Sequence, residues 1–265
     1  MESWIRGNTI GRGSYGTVSL AVNESTGGVF AVKSVERNSC LPRQLEALEN
    51  EIRILKKISS PYIVKYLGDG VTVEDNTCFS NLYLEYLPGG TVADLARARK
   101  FSGAADVDEK IIRNYAFCIV SAINYLHSKG IVHCDIKCDN ILVGPDTRTA
   151  KLVDFGSSME ISPRCAIIEM ITGKPAWEDK GAAETLCRIG YSDELPAFPA
   201  QLSDLGRDFL EKCLRRDYNK RWSSDQLLNH PFISPGNLVS NSSPRCILDW
   251  FSLDSDEEDE LEESN

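Results

Sequence analysis

Hydrophobic and polar positions change their spacing along the first third of the chain. Short apolar runs at residues 4–10, 17–22 and 29–35 are separated by glycine-containing turns, which is typical of strands. From residue 45 to 58 the apolar side chains recur every three or four positions, so this segment predicts an amphipathic helix. Apolar runs at 63–67 and 78–86 predict two further strands. The pattern indicates a strand-rich first lobe that contains one helix.

The second part of the chain has mainly helical spacing. The Pro-Gly-Gly sequence at 88–90 marks a boundary, and helices are predicted at 91–100 and at 107–129, the second ending before Gly130. Short strands at 141–143 and 151–153 precede a helical pattern over 162–232, with a loop at 195–199. We therefore predict an α+β fold with domains at 1–87 and 88–233, followed by a disordered tail at 234–265.

Charge is concentrated at one end of the chain. The net charge is −10, and eight acidic side chains lie in the last twelve residues, so the body is nearly neutral. A body without a basic excess argues against nucleic-acid binding. No apolar run is long enough to span a membrane, and nine scattered cysteines favour a reducing compartment. We expect no nucleic-acid partner and no membrane partner, and a location in the cytoplasm, the nucleus or both.

Three glycines, Gly11, Gly13 and Gly16, lie between the first two predicted strands. Taken alone, these glycines are more typical of a flexible hairpin turn than of a nucleotide-binding loop. A dinucleotide-binding loop is excluded, because that loop has a helix after its glycines and here a strand follows. A glycine loop between two strands suits a flap whose backbone amides cover phosphate groups.

A lysine and a glutamate follow in the next two predicted elements. Ala31 and Lys33 share one face of the third strand, so Lys33 faces whatever the flap covers. A solvent-exposed lysine is the ordinary alternative. Glu51 lies on the flank of the predicted helix and could hold Lys33 in place, whereas Glu46 and Glu49 are predicted on its solvated face.

The third pattern is His-Cys-Asp-Ile-Lys-Cys-Asp-Asn at 133–140, followed by a short strand and Asp-Phe-Gly at 154–156. With the glycine loop and the strand lysine, these motifs stand in the order found in protein kinases. Residues 4–232 therefore resemble a protein kinase. The resemblance implies a two-lobed kinase fold that uses ATP and Mg²⁺.

The resemblance also implies catalytic roles. Lys33 would contact the α- and β-phosphates and pair with Glu51, and Asp135 would accept the proton of the substrate hydroxyl. Lys137 would meet the γ-phosphate, which is typical of the serine/threonine class.

Nucleotide and metal positions are implied in the same way. Asn140 and Asp154 would hold Mg²⁺, since both offer the hard oxygen ligands that this ion prefers. The backbone of the hinge, residues 85–87, would pair with adenine. The residues implied in cofactor binding are Ile10, Gly11, Gly13, Gly16, Val18, Ala31, Lys33, Glu85 and Leu87.

The residues around the motifs resemble a narrower group of protein kinases. Residues 64–68, 85–90, 133–137 and 168–173 are similar to plant mitogen-activated protein kinase kinase kinases related to the animal MEK kinases, and residues 243–250 resemble extensions of that subgroup. Such enzymes phosphorylate serine and threonine on the kinase below them in a cascade. The implied partner is a MAP kinase kinase, and the oligomeric state stays open.

Two departures from the family pattern affect the expected activity. Cys134 replaces the usual arginine that binds an activation-loop phosphate. Only residues 157–165 separate the Asp-Phe-Gly motif from the helix that normally follows much later, so a block of roughly forty residues with the Ala-Pro-Glu motif is missing. Arg221 should therefore lack its usual glutamate partner. The alternative function is a nucleotide-binding regulatory or decoy variant with little phosphotransfer.

Overall fold

The architecture is taken from a computed structural model of the chain. It describes residues 3–13, 15–102, 108–145, 148–157, 195–215, 217 and 220–234. The predictions for 158–194, which include most of the shortened segment, and for the tail from 235 onward lie outside the described residues.

Five antiparallel strands form the first lobe, as the alternating pattern predicts. Their order in the sheet is β1-β2-β3-β5-β4. The strands are β1 (Trp4–Gly13), β2 (Gly16–Asn23), β3 (Val29–Glu36), β4 (Tyr66–Glu74) and β5 (Thr77–Glu85). The central position of β3 places Lys33 between Val18 of β2 and Leu82 of β5.

The prediction of a strand at 63–67 is wrong in its bounds. Ile63 forms only an isolated bridge to Leu152, and β4 begins at Tyr66 and runs to Glu74. Gly68 and Gly70 lie inside the strand, where Tyr83 packs so closely that a Cβ at Gly70 would be 3.0 Å from its hydroxyl. The turn comes later, at residues 75 and 76, both of which have positive φ.

The sheet has two different faces. On the outer face Trp4 makes edge contacts with Phe30 and Tyr83. On the inner face the helix α1 (Pro42–Leu55) packs its buried side chains against the sheet. Because side chains alternate along a strand, Lys33 lies on the inner side, opposite Phe30 and Val32. This confirms the helix and the face predicted for Lys33, while the helix starts and ends three residues earlier than its pattern suggests.

The second lobe is helical in its described part. It contains α2 (Val92–Ser102), α3 (Glu109–Ser128), α4 (Asp204–Leu214) and α5 (Ser224–Leu228), with a small sheet of β6 (Ile141–Val143) and β7 (Ala150–Leu152). Asp108 caps α3 by accepting a hydrogen bond from the amide of Lys110, and Gly130, with φ +68°, follows its end. Together the two lobes confirm the α+β fold.

Arg221 has a different environment from the one its sequence position predicts. Its Nε donates a hydrogen bond to the backbone carbonyl of Arg215 at 3.1 Å. The guanidinium is therefore bonded to the backbone of the second lobe and is not orphaned, while the loss of its usual glutamate partner stays a prediction. No helix in the described part of the chain is long and apolar enough to cross a membrane.

Candidate active site

A cavity of about 660 Å³ lies between the two lobes. Every residue that the motifs single out for nucleotide, metal or catalytic roles lines it. These residues are Ile10, Gly11, Gly13, Gly16, Val18, Ala31, Lys33, Glu51, Glu85, Leu87, Asp135, Lys137, Asn140 and Asp154. The volume suits a ligand of nucleotide size.

The flap over the cavity is the turn between β1 and β2. Gly13 pairs with Gly16 across the turn, and a Cβ at Gly13 would meet nothing within 4 Å. Gly16 has φ +129°, and a Cβ there would lie 2.6 Å from the carbonyl oxygen of Ser34, so only glycine fits. Beside it, the Tyr15 hydroxyl accepts a hydrogen bond from Ser157 at 3.3 Å, which brings the flap against the residue after the Asp-Phe-Gly motif.

Lys33 connects the sheet, the helix and the second lobe. Its Nζ lies 2.7 Å from Oε2 of Glu51 and 3.0 Å from Oδ1 of Asp154. The other oxygen of Glu51 accepts a hydrogen bond from the amide of Phe155 at 3.2 Å. Glu51 is 1% exposed, so both of its oxygens are bound in a site that water barely reaches. The ammonium is thereby fixed beside Asp154 in the cavity.

Lys33, Glu51 and Asp154 form an ion triad, and their mutual contacts decide which of these side chains are charged. Burial lowers the pKa of Lys33, but the carboxylates of Glu51 and Asp154 outweigh burial and raise the pKa above its ordinary value. Burial favours the neutral form of Asp154, yet the charge of Lys33 outweighs it and lowers the pKa of that carboxyl. Burial raises the pKa of Glu51, which the ammonium only partly offsets. Lys33 is therefore charged and Asp154 ionised at neutral pH.

Asp135 is held by two neighbours in the loop after α3. Asn140 donates from Nδ2 to the backbone carbonyl of Asp135 at 2.8 Å and to its Oδ2 at 3.0 Å. Lys137 donates from Nζ to the same Oδ2 at 2.7 Å. One carboxylate oxygen is thus engaged by a cation and an amide, and the residue is kept in one orientation at the edge of the cavity.

His133 anchors this loop to the segment after β7 that carries Asp154. Its Nδ1 accepts the amide hydrogen of Asp135, so Nε2 carries the ring proton and donates it to the carbonyl of Val153 at 2.9 Å. The ring also makes an edge contact with the fully buried Phe155. These contacts set the distance between Asp135 and Asp154.

Two side chains in the site have strained backbones. Cys134 has φ +71° and Asp154 has φ +66°, values that non-glycine residues adopt rarely. Such strain costs on the order of 1–3 kcal/mol per residue and concentrates where a side chain must be aimed. In this chain Cys134 directly precedes Asp135, and Asp154 itself lines the cavity.

The oxygen atoms that the site offers are suitable ligands for the metal ion of Mg-ATP. Asn140 uses its amide N–H groups on Asp135, which leaves the amide oxygen to offer to a cation, and Asp154 lines the cavity as a carboxylate about one quarter exposed. Within the described residues no group of three or more His, Cys, Asp or Glu forms a complete metal cage. The amide oxygen of Asn140 and the carboxylate of Asp154 suit Mg²⁺, which takes few protein ligands and completes its shell with phosphate oxygens and water.

Other residues of the site belong to no sequence motif. The apolar walls include Val64, Leu84, Leu142 and Val153, which read as ordinary core positions in the sequence. Lys151 belongs to no motif, yet its Nζ lies 2.6 Å from Oε1 of Glu85, which lines the cavity. No periodicity or spacing could have found these residues, because each reaches the site through tertiary packing.

His133 predicts a pH dependence of stability. Burial lowers its pKa below the ordinary 6.5, so the unfolded chain takes up a proton first as the pH falls. The contribution of the neutral, buried ring to stability is therefore fully present above pH 6.5 and is lost as the pH falls below it. Denaturant unfolding at several pH values should show a shallower loss in His133→Phe and an unchanged loss in the control His127→Gln. Equal slopes in all three proteins would contradict the expectation.

Comparison with known proteins adds independent information. The sequence profile of the protein kinase domain matches residues 4–165. The chain is 36% identical to mitogen-activated protein kinase kinase kinase 17 of Arabidopsis thaliana, over 95% of this chain and 78% of that protein. It is 34% identical to mitogen-activated protein kinase kinase kinase 18 of the same plant, over 95% of this chain and 86% of the relative.

The alignments also bear on length. The match to the first relative runs over 301 positions, whereas this chain has 265 residues, so at least 36 positions of the alignment are gaps in this chain. The second alignment runs over 303 positions. With a domain profile that matches well over half of the chain and relatives above 30% identity over nearly all of it, this chain belongs to the protein kinase family and is a protein serine/threonine kinase by descent.

Proposed function

We propose that this chain binds Mg-ATP in the cleft and transfers the γ-phosphate to serine or threonine of a downstream kinase in a MAP kinase cascade. The observation that carries the proposal is the position of Lys33, whose Nζ lies within 3.0 Å of both Glu51 and Asp154. A lysine that is fixed by one carboxylate beside a second, metal-binding carboxylate is the arrangement that phosphoryl transfer requires.

The chemistry follows from the positions of the side chains. Bound Mg²⁺ would neutralise charge on the phosphates. Lys33 would hold the α- and β-phosphates, and the flap glycines allow backbone amides to approach them closely. Asp135, oriented by Asn140, would accept the proton of the attacking hydroxyl, while Lys137 would stabilise charge on the transferred group.

The relatives suggest the partner. Their names place them as mitogen-activated protein kinase kinase kinases, so we propose a MAP kinase kinase as the protein substrate. The near-neutral body, without a basic surface excess, supports a protein partner over a nucleic acid. We propose a location in the cytoplasm, the nucleus or both.

A second candidate function is favoured by the length of the alignments. The domain profile stops at residue 165, nine residues after Gly156, and at least 36 aligned positions are gaps in this chain. A gap at this place would remove the platform that presents the substrate hydroxyl, and positioning supplies most of the catalysis in phosphoryl transfer. The second candidate is therefore a nucleotide-binding regulatory or decoy protein with little transfer.

One pair of measurements separates the candidates. Mg-ATP is expected to raise the melting temperature, because a ligand at one hundred times its dissociation constant stabilises a folded protein by about 2.7 kcal/mol. Transfer of radiolabelled phosphate to a MAP kinase kinase is measured on the same sample. Stabilisation with transfer supports the kinase, and stabilisation without transfer selects the regulatory protein. Failure of Mg-ATP to change the melting temperature would contradict both.

A further inference from the structure

The carboxylate of Glu85, the last residue of β5, is bonded to two groups of the protein. Its Oε1 accepts a hydrogen bond from the backbone amide of Lys65 at 2.6 Å and a second from Nζ of Lys151 at 2.6 Å. In return, the amide of Glu85 donates to the carbonyl of Lys65 at 3.0 Å. The start of the hinge is thus tied by its side chain and by its backbone.

The three tied residues come from different parts of the molecule. Glu85 ends a strand of the first lobe, and Lys65 directly precedes β4. Lys151 is the central residue of β7 in the second lobe and lies three residues before Asp154. The ion pair between Glu85 and Lys151 therefore joins the adenine end of the cleft to the strand that leads to its metal end.

The pair is better protected than ordinary surface pairs. The side chains of Lys151 and Glu85 are only 19% and 25% exposed, whereas those of the pair between Arg97 and Asp94 are more than half exposed. Exposed pairs contribute little to stability, but a partly buried carboxylate with two donors on one oxygen is held in a defined position. Loss of Lys151 would leave the backbone amide of Lys65 as the remaining donor to that oxygen among the contacts described.

We propose that Lys151 is a positioning residue for the nucleotide, acting through Glu85 to fix the hinge relative to Asp154. The inference rests on the proposed function and deepens it. A ligand that reaches from the hinge to Asp154 binds more tightly when the two ends of the cleft are already held at the right distance. The affinity of a ligand that occupies only the hinge end does not depend on that distance.

The difference between two ligands tests the proposal. Calorimetry on the full chain would measure the dissociation constants of Mg-ADP, which spans the cleft, and of adenosine, which does not. Lys151→Met is expected to weaken Mg-ADP about fivefold and adenosine by less than about twofold, since a lost preorganising contact costs about 1 kcal/mol for the spanning ligand only. Lys151→Arg should restore Mg-ADP binding, because it returns a cation to Glu85.

Two further variants keep the result interpretable. Glu85→Gln breaks the same ion pair from the other side and should give the same selective loss, with no further loss in the double variant. Lys212→Met is a matched control, since Lys212 is also 19% exposed and pairs with Asp208, outside the cleft lining. It should leave both dissociation constants unchanged.

The outcomes are distinct. Equal weakening of Mg-ADP and adenosine in Lys151→Met would show a general structural role and overturn the positioning role alone. An unchanged Mg-ADP constant would overturn it as well. A wild-type chain that binds neither ligand would overturn the proposed function together with this inference.

Discussion

Replacing Lys33 with methionine is expected to destabilise the chain and to abolish stabilisation by Mg-ATP. The ammonium is the shared partner of Glu51 and Asp154, and Lys33 is 7% exposed. Removing one partner of a buried ion pair leaves charge without compensation, which typically costs about 3–5 kcal/mol. The measurements are denaturant unfolding for the free energy and a thermal shift with Mg-ATP for binding.

Matched variants separate stability from binding. Lys33→Met with Glu51→Gln removes one of the two facing carboxylates, so it should recover part of the lost unfolding free energy without recovering the Mg-ATP shift. Lys56→Met removes an exposed lysine that pairs with Asp69, and it should change neither quantity appreciably. A Lys33→Met chain with unchanged stability would show that the ion triad is not formed in solution.

The triad also shows how far sequence reasoning reaches. The strand pattern placed Lys33 on the inner face, and the helical spacing placed Glu51 on the flank of α1 and left Glu46 and Glu49 in solvent, as the structure has them. Local periodicity decides these positions, because it fixes which face of an element a residue occupies. The position of Glu51 made its pairing with Lys33 possible, and the kinase resemblance implied that pairing, since no local pattern specifies which face of α1 meets which strand.

Other positions were beyond local patterns. The glycines at 68 and 70 indicate a turn when considered alone, but tertiary packing under Tyr83 keeps them inside β4 and moves the turn to residues 75 and 76. The interlobe pair between Lys151 and Glu85 joins residues 66 positions apart, and its lysine stands in a short strand with no motif of its own. Contacts of this kind depend on the whole topology, which period and composition do not encode.

Asp135→Asn is expected to lower the rate of phosphoryl transfer by about a thousandfold, the contribution typical of a positioned general base. Mg-ATP binding should stay within about twofold, because asparagine is isosteric and no charge changes at Lys33 or Asp154, where the nucleotide would be held. Transfer to a MAP kinase kinase and the Mg-ATP thermal shift are measured on the same samples. Asp225→Asn, an exposed position on α5, is the control for removal of a carboxylate and should match the wild type in both measurements.

Extending the chain by the segment proposed to be missing makes this result decisive between the two proposed functions. The residues that the Arabidopsis relative carries opposite the gap proposed after the Asp-Phe-Gly motif can be inserted after Ser157, and Asp135→Asn can be made in both the original and the extended chain. Transfer in the original chain that Asp135→Asn removes supports the kinase. Transfer only in the extended chain selects the regulatory protein, because positioning of the substrate hydroxyl alone can change a rate a hundredfold or more. Transfer that survives Asp135→Asn in either chain would contradict the role of Asp135 as the base.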